Sequence, residues 1–148
     1  MKFLLSFILL LSISKECNNN SSSSEINQLH EVVTFEYSAL SRGFYNRVLI
    51  THLTLSVQKG RSSETVTKPC NKDDWSELIS LLNEINLKNI SELKAPTQVR
   101  LYDGAAIAQL IITQENTSFE TKSFDHGKPP LEIEALVKKI LSLSENIE

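Results

Sequence analysis

The apolar residues of this chain change from strict alternation to helical spacing near residue 71, and that change restricts the fold more than any single motif. In VVTFEYSAL, residues 32 to 40, Val33, Phe35, Tyr37 and Ala39 fall on one face and Thr34, Glu36 and Ser38 on the other, as in a half-buried strand. SRGFYN interrupts with a Gly, and RVLITHLTLSVQK, residues 47 to 59, resumes with many β-branched residues. It reads as one long strand paired antiparallel to the first, with Leu49, Leu53, Leu55 and Val57 on one parity and Val48 and Ile50 on the other. After the turn KGRSS, ETVTK predicts a short strand at 64 to 68.

From NKDDWSELISLLNEINL onward the spacing is helical, with Trp75, Leu78, Ile79, Leu82 and Ile85 on one stripe. This predicts a helix over about 74 to 86, with Asp74 and Glu77 as a capping box. The stripe must be buried, and the sheet is the surface available to it. Trp75 shares the stripe with the leucines, so core packing is preferred to a partner site. Residues 87 to 104, with Pro96 and Gly104, read as an irregular connection, longer than most and therefore partly structured or functional.

AAIAQLIITQ then predicts a strand whose Ala105, Ala106 and Ala108 permit close approach of a helix. ENTS is the turn, with Asn116 tolerating positive φ, and SFETKSFD, 118 to 125, is the returning partner strand. LEIEALVKKILSL repeats the helical spacing at Ile133, Leu136, Val137, Ile140 and Leu141. Pro129 and Pro130 suit a first turn, Glu132 and Glu134 the positive end of the helix, and Lys138 and Lys139 its negative end. The predicted architecture is α+β: an antiparallel sheet of four to five strands with two helices packed on one face, in the order ββ(β)αββα.

The N-terminus carries a separate message. Met1 and Lys2 precede FLLSFILLLSI, an uncharged apolar run of eleven residues, which matches the n-region and h-region of an export signal and is too short for a bilayer span of roughly 20 residues. Two processing outcomes stay open at SISKECNNN. Ser12 and Ser14 are spaced for cleavage after Ser14. Alternatively Cys17 is lipidated and becomes the mature N-terminus, followed by NNNSSSSE, a polar tether unable to fold. Bacterial lipoprotein precursors have a small residue directly before that Cys, and here Lys15 and Glu16 stand there. The expected organisation is a signal peptide at 1 to 16, a tether at 17 to 31 and one α+β domain at 32 to 144, of a size that suits a single core.

The formal charge is -3. Cleavage before Cys17 removes Lys2, Lys15 and Glu16, and cleavage after Ser14 removes Lys2 alone, so either leaves -4. A mildly acidic domain without a basic run argues against nucleic acid or anionic lipid as ligand and leaves a protein or small molecule. Any membrane contact would run through lipid on Cys17. The chain has two cysteines, Cys17 and Cys70, and they can pair only if Cys17 is not lipidated. Lys68 and Lys72 flank Cys70 and favour its thiolate, yet no His lies nearby to act as base, so a structural thiol is preferred to a nucleophile.

FDHGKPP, residues 124 to 130, is the most suggestive site motif. Its structural reading is a strand-to-helix turn in which Asp125 caps and Gly127 takes positive φ. Its functional reading joins Asp125 and His126 with Arg100, Tyr102 and Asp103 of the RLYDG segment in a ligand-contact loop, if both segments meet at one sheet edge. A hydrolase-like or metal-dependent site at Asp103, Asp125 and His126 is the alternative. However, no GxSxG elbow is present, and His30, His52, His126, Asp103 and Asp125 lack ligand spacing such as HExxH. No catalytic residue, metal or cofactor is assigned. In the binding reading, Asp125→Asn and His126→Ala are expected to alter stability only modestly.

At FEYSALSRGF, NKDDWSELISLLNEINL, LYDGAAIAQLIIT and SFDHGKPPLEIEALVKKI the chain resembles a family of small uncharacterised exported and lipoprotein-like proteins of Bacteroidota, over about residues 32 to 141. The resemblance implies an exported compartment and this fold. It implies no activity, since the family has none assigned.

Overall fold

The computed structural model describes residues 33–147, so the expected signal peptide and tether, with Cys17 and His30, lie outside the described residues. Four strands, β1 (Val33–Leu40), β2 (Tyr45–Ile50), β3 (Thr54–Gln58) and β4 (Val66–Pro69), form a meander and lead into α1 (Lys72–Asn83). Two 3-10 turns, Leu87–Glu92 and Val99–Tyr102, precede β5 (Ile107–Gln114), β6 (Thr117–Glu120) and β7 (Phe124–Asp125). A third 3-10 turn, Leu131–Ile133, opens α2 (Glu134–Glu145). The sheet runs β4-β3-β2-β1-β5-β6, with β7 also on β5, and every pairing is antiparallel.

The α+β class and the antiparallel sheet are as expected, but the sheet has seven strands rather than four to five. Two breaks account for the difference. The segment 47 to 59 is a hairpin, β2 and β3, not one strand. Thr51 Oγ1 accepts from the N–H of Leu53 and of Thr54, at 3.2 and 3.0 Å, while Thr51 N–H donates to the Thr54 carbonyl at 2.8 Å. A hydroxyl closes this turn without Gly or Pro. The turn also reverses the parity: Val48, Ile50, Leu55 and Val57 share the buried face, and Leu53 is exposed.

The segment 118 to 125 breaks for a different reason. Ile111 pairs Glu120 and Ala108 pairs Phe124, so three steps along β5 match four on its partner. That is a one-residue bulge. It moves Phe124 onto the buried face beside Thr121, which donates its N–H to the Leu110 carbonyl at 3.0 Å and accepts the Leu110 N–H on Oγ1 at 3.1 Å. In the β5–β6 turn it is Glu115, not Asn116, that takes positive φ, at 55°.

The alternation read in β1 holds. Val33, Phe35, Tyr37 and Ala39 are fully buried and form one cluster with Leu78, Ile79 and Leu82 of α1 and Leu136, Val137 and Ile140 of α2. Trp75 is half-buried and meets Phe35 edge to face at 5.7 Å between centroids. At about 25 cal/mol per Å² of apolar surface, such a cluster is the main favourable term in folding. The opposite face carries Thr34, Glu36, Ser38, Gln109 and Thr113, all half-exposed.

The α1 cap also differs from expectation. Asn71 is the N-cap and its side chain accepts from Asp73 N–H at 2.9 Å. Asp74 and Glu77 instead face α2, where both bond Lys139 Nζ. Those bonds raise the Lys139 pKa and tie the two helices together. Among the described residues no helix is long and apolar enough to cross a membrane.

Candidate functional site

Three loops meet at the end of the sheet where β1 finishes: Ser41–Phe44 between β1 and β2, the stretch 99 to 106 leading into β5, and the turn after β7. Asp125 anchors the second loop to the third. It is 1% exposed, and both carboxylate oxygens are engaged. Oδ2 accepts from Thr97 Oγ1 and from Val99 N–H at 2.8 Å, and Oδ1 accepts from Arg100 N–H at 2.9 Å and Arg100 Nη1 at 3.1 Å. Burial alone would push this carboxyl up. The hydrogen bonds from Thr97, Arg100 and Val99 overcome it and hold the pKa well below the usual carboxylate range. Asp125 thus caps the 3-10 turn Val99–Tyr102 across the fold, not the strand-to-helix turn in which it lies.

His126 faces elsewhere. Its N–H pairs with the Ala106 carbonyl at 2.9 Å, and its ring Nδ1 lies 2.8 Å from Tyr37 Oη. Tyr37 is wholly buried, and burial raises its pKa while the Gly127 N–H, bonded to the phenol, opposes the rise. Burial lowers the His126 pKa, so the imidazole is neutral at pH 7. Assigning the phenol hydrogen to Nδ1 leaves Nε2–H as a donor. Phe44 packs on the ring at 4.9 Å between centroids. Gly127 takes the expected positive φ, 77°.

Two clefts flank His126. The first, about 310 Å³, lies between the β1–β2 loop and the end of α2 and is lined by Phe44, Asn46, Lys59, His126, Leu141 and Glu145 among others. The second, about 300 Å³, is bounded by Val99, Gly104, Ala106, Asp125 and Lys128 with His126. A methyl group added at Gly104 would overlap Val99 Cγ1, so Gly is needed to let the loop close on itself. Asn46 lines the first cleft, but its Oδ1 is turned out of contact with water and has no hydrogen-bond partner among the described residues.

Of the residues expected at the site, Arg100, Asp125 and His126 come together at this end. Tyr102 is 85% exposed and Asp103 sits in the left-handed region at φ 56°. No hydrogen bond or ion pair joins either to Arg100, Asp125 or His126 among the described residues. His52 stands apart, 6.3 Å from the Trp75 ring. Among the described residues no three His, Cys, Asp or Glu side chains converge as metal ligands would.

Cys70 is half-buried, and its pKa is raised by burial and by Asp74 against the opposing Lys139. The shift runs away from the thiolate, and neither Lys68 nor Lys72 is among its causes. Tyr37, Phe44, Asn46 and Lys59 were not anticipated at the site. The one available signal was Tyr37, a phenol on an otherwise apolar strand face, which calls for a polar partner. Compared with known protein families, with curated proteins and with solved structures, the chain matches none.

Proposed function

We propose that this chain is an exported cell-envelope domain, held by lipid on Cys17 or released as a soluble domain, that binds a ligand beside His126 and carries out no chemistry on it. On this reading it belongs with the small exported and lipoprotein-like Bacteroidota proteins that it resembles. The observation that carries the binding reading is the contrast at the rim. Asp125 has both oxygens engaged in holding a loop, and among the described residues no carboxylate hydrogen-bonds the His126 ring. The neighbouring cleft of about 310 Å³ meanwhile brings Phe44, Lys59, Leu141 and Glu145 beside the His126 ring. A catalytic His needs a nucleophile to deprotonate or a carboxylate to hold its tautomer. The alternative enzyme at Asp103, Asp125 and His126 would need Asp125 free.

Two measurements test the proposal. Intact mass of the mature chain, taken from membrane and soluble fractions without reductant, reads the compartment. A lipid-sized increment on a chain beginning at Cys17 gives the anchored form, and a chain beginning at Lys15 with a Cys17–Cys70 disulfide gives the soluble one. An unprocessed chain starting at Met1 in the cytoplasmic fraction defeats the export reading. For binding, pools of small metabolites are titrated into isotope-labelled mature protein while amide shifts are followed. Shifts confined to residues 41–46, 59 and 126 are expected. Turnover of an ester, phosphoester or peptide substrate that His126→Ala abolishes without unfolding the domain would make it an enzyme.

A further inference from the structure

The contact between Tyr37 and His126 dictates where each hydrogen sits. Tyr37 is wholly buried, and its hydroxyl meets His126 Nδ1 at 2.8 Å. The Gly127 N–H approaches the same oxygen as a donor. With the imidazole neutral every group is served: the phenol donates to Nδ1 and accepts from Gly127, while Nε2 carries the ring hydrogen. The other neutral tautomer would set two donors against the phenol oxygen and strand the phenol hydrogen in the core. The imidazolium has the same fault, because both of its nitrogens carry hydrogen. A buried O–H without an acceptor is costly. The pair therefore accommodates one protonation state and one tautomer.

The ring also supports a loop. Phe44 rests on it at 4.9 Å between centroids, and both side chains line the first cleft. The loop Ser41–Phe44 has two further ties: Ser41 N–H donates to the Phe44 carbonyl at 2.8 Å, and Arg61 donates to the Ser41 carbonyl at 3.3 Å. Neither holds the Phe44 side chain against the domain.

The charges around the ring offer a cation no bonded partner. Tyr45, Lys59 and Glu145 line the first cleft, Asp125 and Lys128 the second, and Arg42 lies in the loop itself. Asp125 is already bound to Arg100. Neither Glu145 nor Asp103 is bonded to His126 among the described residues.

We infer that Tyr37 and His126 form a pH-operated latch on the β1–β2 loop. While the imidazole is neutral, the ring stays on the phenol and Phe44 keeps its seat. A proton taken from water onto Nδ1 turns that nitrogen from acceptor to donor. The ring then swings from the phenol toward solvent, Phe44 loses its support, and the first cleft widens. The change falls below pH 6.5, since burial lowers the His126 pKa. The latch needs no ligand.

Titration of the isotope-labelled mature protein from about pH 7.5 to 4.5 tests it, with His126 ring shifts and Phe44 ring and amide shifts read together. The Nε2–H tautomer is expected at the upper end, and Phe44 should move with the midpoint of His126. Tyr37→Phe should raise that midpoint by roughly half a pH unit or more, because a hydrogen bond to the neutral form is lost. His126→Gln should hold Phe44 still across the range, and Glu145→Gln should leave the native transition in place. An Nδ1–H tautomer overturns the inference, as does a Phe44 that ignores the His126 titration. An unchanged midpoint in Tyr37→Phe would mean that burial alone governs the ring, and it overturns the latch. So does a transition lost in Glu145→Gln, or one in which far-ultraviolet circular dichroism shows the whole domain unfolding with His126.

Discussion

Asp125 and His126 are consecutive, yet the regions on either side of them are built on opposite terms. Around Asp125 the polar atoms are matched: two backbone N–H groups, a hydroxyl and a guanidinium converge on one carboxylate. Around His126 a cleft opens, a phenylalanine ring lies part-exposed, and the buried Asn46 Oδ1 has no partner among the described residues. The first region resembles a structural joint, the second a receptor surface. The comparison teaches that a motif with catalytic composition can divide its residues between the two tasks. It also reverses the expectation that Asp125→Asn is mild.

The contrast predicts a graded series. Asp125→Asn should have the largest effect, about 3–5 kcal/mol in urea unfolding, because it leaves Arg100 buried without its countercharge. A loss below about 1 kcal/mol would mean that the joint is not structural. The same group gives a pH signature. Its folded pKa lies below the ordinary 3.8, so its contribution is complete above that value and is lost as pH falls below it.

Gly104→Ala comes next, at about 1–3 kcal/mol, because the added methyl overlaps Val99. Calorimetry would show whether the loop absorbs it, and an unchanged melting temperature would count against the close approach.

Tyr37→Phe should cost about 1 kcal/mol through the lost bond to His126. His126 itself adds a shallow slope. Its folded pKa is below the ordinary 6.5, so the unfolded chain takes up the proton first and stability declines as pH falls from 6.5 toward the folded value. Unfolding midpoints at pH 7.5 and 5.5 should show this decline in the native chain and less of it in His126→Ala. The smallest effect belongs to Asn46→Val, within about 0.5 kcal/mol of the native chain or slightly more stable, since it removes a buried acceptor that has no partner. A loss above about 1.5 kcal/mol would place Asn46 with the joint instead.

How much of this was legible in the residues depends on whether local pattern or remote pairing decided each element. The β1 alternation and both helical stripes were readable because burial on one face writes itself into the spacing. The hairpin at Thr51–Thr54 was not, because Thr supplies by its hydroxyl what Gly or Pro usually signals. The bulge before Phe124 was hidden for a related reason: one extra residue shifts the parity without altering composition. At the site, the positive φ of Gly127 followed from local turn chemistry, whereas Asp125 caps a remote turn instead of its own. The partners of Asp125 lie 25 to 28 residues away and that of His126 lies 89 residues away, a relation no spacing rule contains.

The position of β1 has a consequence for the order in which the protein is assembled. The first strand of the described fold occupies an inner place in the sheet, and its full length is matched against β5, from Val33↔Gln114 to Leu40↔Ile107. A chain that emerges N-terminus first can therefore form the β1–β4 meander early, but one side of β1 stays open until the last third has appeared. Closing a loop of that size before its contacts reward it is slow. The half-made sheet offers an unpaired central edge throughout that interval, and such an edge is where a helper protein, or a second unfinished chain, would attach.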